Sequence, residues 1–296
     1  MCFLRLCDMR KLSIGFTALL LLVMLLQISC DRATGNSTET QAVEPHDLTV
    51  DSARTLRSRF NPPPGCAHVS VEQGSFAEFL TALPLKPTGS QVRTFDGGIK
   101  DSTGIYCAVV DLPIGNKDLH QCADAVMHLR AEFLWQQKRY SEIAFDLTNG
   151  FRMAYSEWML GKRLSVQGNT TKWVQRETPS NTHNDLWQYL QVVFTYAGTL
   201  SLARELTPIQ VEDMRIGDVF VYGGSPGHAV IVVDMAEDTT HHHTYFMLAQ
   251  SYMPAQEIQI LLNPTNPALG PWYPIAFGEV LQTPSWVFDK QALRRF

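Results

Sequence analysis

Cys122, His228 and Gln250 are the residues of this chain whose types and settings support nucleophilic chemistry. Cys122 follows Asp118-Leu119-His120-Gln121. An acid with Gln three residues later reads as a capped helix start, so Asp118 is the expected N-cap of a helix over residues 118–139. That places Cys122 in the first turn, on one face with Val126, Leu129 and Phe133 and with Ala125 beside them. The partial positive charge of a helix N-terminus favours thiolate, the nucleophilic form, over thiol. Taken alone, a cysteine on an apolar helix face is also an ordinary small core residue.

His228 opens an apolar run, Ala229-Val230-Ile231-Val232-Val233, after the loop Gly223-Gly224-Ser225-Pro226-Gly227. A neutral imidazole there can take the proton of a nearby thiol, with Gly227 leaving room around the ring. Gln250 ends the apolar part of the next strand, and antiparallel pairing brings it towards His228. Its amide oxygen can accept a ring N–H and fix the tautomer. Backbone N–H groups near Cys122, helped by Gln121, are the expected oxyanion donors. An N-cap at Asp118 works against this, because the Cys122 N–H would then bond the Asp118 carbonyl. Arg130 flanks the buried stripe and is a candidate anchor for a substrate carboxylate, or a partner for an acid of the fold.

Other groups invite blander readings. His241-His242-His243 alternate in direction on an extended chain and cannot all face one ion, so they read as a solvated turn, and neither metal nor cofactor is expected. Asp124, His128 and Glu132 are spaced for surface pairing along the helix. Trp158, Trp173, Trp187, Trp272 and Trp286 read as core, with sugar stacking as the functional alternative.

The elements that must position these residues follow from period and punctuation. Residues 75–83 read as a short helix capped by Ser75 with Glu78 three residues on. Further helices are expected over 151–161 and 184–206, the latter stopped by Pro208. Strands are expected over 91–95, 105–112, 218–222, 228–235, 244–252 and 257–262. Helices early and strands late indicate an α+β fold with a mainly antiparallel sheet.

The chain has 296 residues, with 24 Lys and Arg against 29 Asp and Glu. An apolar fraction of 45% excludes a disordered chain, and a net charge of −5 gives no basic face for nucleic acid. Residues 1–29 carry Arg5, Arg10 and Lys11 before the apolar stretch 12–26, the pattern of a secretory signal. Gln27-Ile28-Ser29-Cys30 then resembles a bacterial lipobox, with Gln where Leu is usual and Cys30 as the lipidated residue; the alternative is a transmembrane anchor. Removing 1–29, which also contain Asp8, takes the net charge to −7. Residues 30–60 read as a flexible tether and 61–296 as one domain. Cys66, Cys107 and Cys122 remain, an odd number, so Cys122 is the expected free thiol and any intrachain disulfide joins Cys66 to Cys107.

These segments resemble the papain-like cysteine hydrolases of bacterial envelopes, the NlpC/P60 and CHAP families. Gln121-Cys122 resembles the Gln-Cys pair of the CHAP type. Gly217-Asp218-Val219 and Gly227-His228-Ala229-Val230-Ile231-Val232 resemble its Gly-Asp and Gly-His segments. About 105 residues separate Cys122 from His228, more than is usual there, with two helices inserted. The resemblance implies a papain-like sheet with the Cys-bearing helix packed on it. It also implies a Cys122–His228–Gln250 constellation acting on peptide or amide bonds, with a peptide or cell-wall-derived substrate. The membrane would be a partner through the lipid on Cys30, and the location the cell envelope. Over 61–296 the chain also resembles an uncharacterised bacterial lipoprotein family, domain of unknown function 4846, through DLxQCADAxMxLRAE, TNGF, YAGTLSL, PGHAVIVVDMA and LAQSYMPAQ. That resemblance names no activity. A non-catalytic lipoprotein binding a partner or cell-wall ligand, and an acyl- or amide-transfer enzyme, remain the alternatives to hydrolysis.

Overall fold

The apolar run 229–233 is buried on both sides. Ala229, Ile231 and Val233 face one core, and Val230 and Val232 face another. Only a central strand of a sheet covered on both faces has this pattern. The computed structural model describes residues 47–100, 104–238, 240 and 243–296. The expected signal, Cys30, the tether up to residue 46, His241 and His242 lie outside the described residues.

The first half contains α1 (Leu56–Arg59), β1 (Ala67–His68), α2 (Phe76–Thr81), β2 (Tyr106–Val109) and α3 (Cys122–Gln136). Between α3 and the late strands come β3 (Ala144–Asp146), β4 (Arg152–Ala154), α4 (Tyr155–Met159), β5 (Lys162–Gln167), β6 (Thr170–Gln175), α5 (His183–Tyr196), α6 (Thr199–Glu205) and β7 (Thr207–Pro208). The last part has β8 (Val219–Tyr222), β9 (His228–Asp238), β10 (His243–Gln250), β11 (Gln259–Leu261), β12 (Tyr273–Pro274), β13 (Val280–Gln282), β14 (Val287–Asp289) and β15 (Leu293–Arg295). The main sheet runs β2-β11-β10-β9-β8-β15-β7, with β1 beside β9 and β12 beside β10, and its pairings are antiparallel. The α+β class with a mostly antiparallel sheet is therefore as expected.

One core lies between the sheet and α2, α3, α5 and α6, and the other is closed by Tyr273, Leu281, Phe288 and Leu293. α3 is buried nearly all round rather than along one stripe. The α2 helix starts as read, with the Ser75 hydroxyl accepting the Glu78 N–H at 3.1 Å.

Several elements differ from the expectation. Residues 47–60 are not tether: Leu56 and Phe60 are buried, and the Leu56 N–H bonds the Leu83 carbonyl. Two buried apolar side chains within five residues are enough to hold this segment on the core. The expected helix over 151–161 begins instead as β4, because Asn149-Gly150 turns the chain into a hairpin with β3. The expected helix over 184–206 is two helices. Ala197 and Gly198 are extended, and the Ser201 hydroxyl accepts the Gly198 N–H to start α6. The hairpin β5–β6, turning at Gly168-Asn169, has only the short alternation Leu164-Ser165-Val166 among polar residues, too little to reveal it. Cys66 and Cys107, the pair named for any intrachain disulfide, are both free thiols, as is Cys122, and Cys107 donates to the Ile260 carbonyl at 3.6 Å.

Candidate active site

α3 begins one turn later than Asp118 predicts. Gln121 is its N-cap and Cys122 its first residue, with the Gln121 N–H bonded to Asp124 Oδ2 at 3.0 Å. Asp118 is engaged elsewhere, since its Oδ1 accepts the Ala255 N–H at 2.7 Å and the Gln121 Nε2 at 3.3 Å. The Ser251 hydroxyl bridges the carbonyls of His120 and Gln256, so two independent clamps fix the turn that presents Cys122. The later start removes the obstacle to an oxyanion hole. The Cys122 N–H makes no bond to the Asp118 carbonyl and stays available as a donor.

Cys122 and His228 line one cavity of about 530 Å³, together with Gln121, Asp118, Asp124 and Trp286. They reach it from different sides. Cys122 comes from α3, on the first core. The His228 ring lies on the other face, against Phe288 of the second core, and lines the cavity from the start of β9. The backbone N–H groups of Ala229, Ala123 and Cys122 itself favour the thiolate. Among the described residues no hydrogen bond joins the thiol to the ring.

Gln250 sits on β10 where the antiparallel register predicts. Its Oε1 accepts the His228 Nε2–H at 2.7 Å, and its Nε2 donates to Ser285 Oγ at 3.2 Å. This fixes the tautomer: Nε2 carries the proton and Nδ1 keeps the lone pair. Trp286 packs on the ring at 5.6 Å between centroids, and Tyr252 approaches at 5.1 Å. Ser285 was not legible as a site residue, and Trp286 only as one of five tryptophans with sugar stacking as the alternative to core. They come from a loop before β14, far along the chain, with no motif around them.

Gly227 is required by close approach rather than by the imidazole. An added Cβ would lie 2.3 Å from Thr199 Oγ1 and 2.7 Å from the Tyr222 and Gly224 carbonyl oxygens. The loop before His228 is thereby pressed onto the start of α6.

Electrostatics depart from the helix-head expectation. Burial, reinforced by Asp124, pushes the Cys122 thiol up to about 11 despite the three N–H groups that favour thiolate. Burial likewise pushes His228 down to about 4, against the Gln250 hydrogen bond. The resting site therefore holds a neutral thiol and a neutral imidazole. Asp124, also buried, is pushed up to about 8, and its Oδ1 has no hydrogen-bond partner among the described residues.

Two further expectations are corrected. Asp124, His128 and Glu132 are not surface pairs but buried, because α5 and the sheet enclose that side of α3. Arg130 does not border the cavity. Its guanidinium packs over Phe76, Phe133 and Phe296, beside a different pocket. Among the described residues no group of three or more His, Cys, Asp or Glu could hold a metal ion.

No curated protein and no solved structure matches the chain. The sequence profile described as domain of unknown function (4846) matches residues 56–295, from α1 through β15, and so includes every element that builds the cavity. The chain belongs to that family.

Proposed function

We propose that the protein is a cysteine hydrolase of peptide or amide bonds with a papain-like site, in which Cys122 is nucleophile, His228 base and acid, and Gln250 orienter. The observation that carries this reading is the imidazole itself. It is neutral, held in one tautomer by Gln250, and lines the same cavity as a thiol at a helix head.

In the reaction, His228 Nδ1 takes the Cys122 proton as sulfur attacks the carbonyl carbon. The developing oxyanion accepts the Cys122 N–H, and the Gln121 amide after it turns from Asp118. Collapse breaks the C–N bond, and His228 returns the proton to the leaving amine. Water, deprotonated by the same Nδ1, then hydrolyses the thioester and releases acid and thiol. An amine in place of water would give transfer instead. Burial disfavours charge on either partner alone, but a thiolate–imidazolium pair is neutral as a whole and escapes part of that penalty. Cell-wall-derived peptides are the proposed substrates, and the proposed setting is the cell envelope, through lipid on Cys30.

The second reading, a binding lipoprotein with the same fold, is favoured by the thiol's high pKa and the lack of a thiol–ring hydrogen bond among the described residues. Alkylation decides between them. The hydrolase reading expects iodoacetamide to modify Cys122 in the folded protein at pH 7, and His228→Ala to slow it. A Cys122 modified only after unfolding favours the binding reading.

A further inference from the structure

The Cys122 cavity does not end at Cys122. Leu119 and Phe194 border both it and a small pocket of about 50 Å³. Gly115 and Trp187 border both that pocket and a third cavity of about 340 Å³. Shared lining residues place the three side by side along α3. Gly115 is what lets the indole lie there: its φ is +76°, and an added Cβ would stand 2.7 Å from Trp187 Cζ2.

The third cavity has distinct chemistry. Its carboxylate is Glu132, only 5% exposed. Glu132 Oε1 accepts from His183 Nε2 at 2.8 Å and lies 3.4 Å from His128 Nε2. Among the hydrogen bonds of the described residues Oε2 accepts none. Burial would raise this carboxyl, but the bonds and charges of His128 and His183 outweigh it and hold it below the ordinary range. An ionised, nearly buried oxygen without a partner, beside an indole, suits a cation by charge-assisted hydrogen bonding and by cation–π contact. The basic groups lining that cavity are the His128 and His183 imidazoles that already bond Glu132, and no Lys or Arg among the described residues lines it; Lys117 stands at the middle pocket and disfavours a cation there. Ten helical residues separate Cys122 from Glu132, about 15 Å, the span of about four extended residues.

We infer that the three together are the track of an extended peptide, and that Glu132 and Trp187 bind an ammonium or guanidinium group carried about four residues from the bond attacked by Cys122. The inference rests on the reading of Cys122 as nucleophile.

The test uses chloroacetyl-oligoglycyl-lysine amides of increasing glycine number, each with a norleucine counterpart, on the whole protein. Cys122 adducts are followed by mass spectrometry. Lysine should speed alkylation about tenfold over norleucine at one spacing near four residues. Glu132→Gln should abolish that preference and leave the iodoacetamide rate unchanged. Asn184→Lys, an exposed change at the cavity wall, should abolish it too and keeps the test available if Glu132→Gln does not fold. Reaction with iodoacetamide but no lysine preference at any spacing overturns the inference and leaves the thiol reading standing. A preference that survives Glu132→Gln and disappears in Asp118→Asn overturns it as well. If iodoacetamide does not reach Cys122, the nucleophile reading fails first. Titration of n-pentylammonium against 1-pentanol, followed at the Trp187 indole N–H by NMR, then decides the cation site alone. Equal shifts overturn it, and an ammonium-selective shift lost in Glu132→Gln supports it.

Discussion

Two positions of β9 each bury a polar side chain, one at its start and one past its middle, and they treat it differently. Past the middle Asp234 is fully buried and fully engaged. Arg57 reaches it at 2.5 Å, His68 Nδ1 stands at 3.0 Å, and the Met235 N–H bonds it at 2.8 Å. At the strand's start His228 has one ring nitrogen bonded to Gln250, and the residue lines an open cavity together with Cys122. A buried charge whose partners are all supplied by the fold is a fastener, here pinning α1 and β1 to the sheet. A buried group with one valence satisfied and one directed at a cavity is built for a visitor.

The comparison breaks most sharply on the pair Cys122→Ala and Asp234→Ala. The first should lower turnover of an amide substrate about 10⁴-fold or more and leave the melting temperature nearly unchanged. The second leaves Arg57 and His68 without their partner and should remove about 3 kcal/mol, a Tm about 6–12 °C lower, with kcat per folded molecule unchanged. Calorimetry and steady-state kinetics on both variants check this. A stable Asp234→Ala protein with lost activity would erase the distinction between the two positions.

His228→Ala is the next step down. It removes the proton carrier but not the nucleophile, and should lower kcat/KM about 10²–10⁴-fold. A loss as large as that of Cys122→Ala would mean that the thiol has no reactivity of its own.

Stability against pH sharpens the same contrast. Burial holds His228 at about 4 and His120 at about 3, below the 6.5 of a free imidazole. Unfolding lets both bind protons, so their contribution is complete above pH 6.5 and is lost as pH falls towards 4. Asp124 has the opposite sign. Raised from 3.8 to about 8, it favours the fold at low pH, and that contribution is lost as pH rises through this window. From these three groups stability should rise by about 1.4 kcal/mol per pH unit from 4 to 6.5 and then decline towards 8. Urea titrations across pH 4.5–8 measure this. Asp124→Asn should abolish the declining limb, and above pH 8 it should also speed Cys122 alkylation by lifting a negative charge from beside the thiol.

The sequence was readable where chemistry coincides with local pattern. Gly-His at the head of an apolar strand, Gln at the end of the next and Cys after a capping signal all depend on neighbours a few residues away. What escaped depends on packing. Asp118 looks like an N-cap, but the Ala255 N–H, 137 positions on, competes for its carboxylate and wins. Glu132 and His128 carry surface-type side chains at surface-type spacing, and only the docking of α5 buries them. Ser285 and Trp286 reach the imidazole from a loop that no local rule connects to it. The helix-dipole argument gave the right placement for Cys122 and the wrong sign for its acidity, because burial outweighs three backbone N–H groups.

The smallest expected effects concern the neutral brace of the imidazole. Gln250 does not itself line the cavity, so it acts through His228 and is a positioning residue. Gln250→Ala removes one neutral hydrogen bond, a contribution of about 1–1.5 kcal/mol, and should lower kcat roughly tenfold with KM unchanged. Ser285→Ala removes only the bond that holds the amide from behind, at the longer distance of 3.2 Å, and should lower kcat about threefold. The double variant tests whether the two form one chain. If Ser285 acts only by holding Gln250, Gln250→Ala with Ser285→Ala should be no slower than Gln250→Ala alone. Additive losses would mean that Ser285 serves the site by another route, with Trp286, its neighbour over the ring, as the place to look.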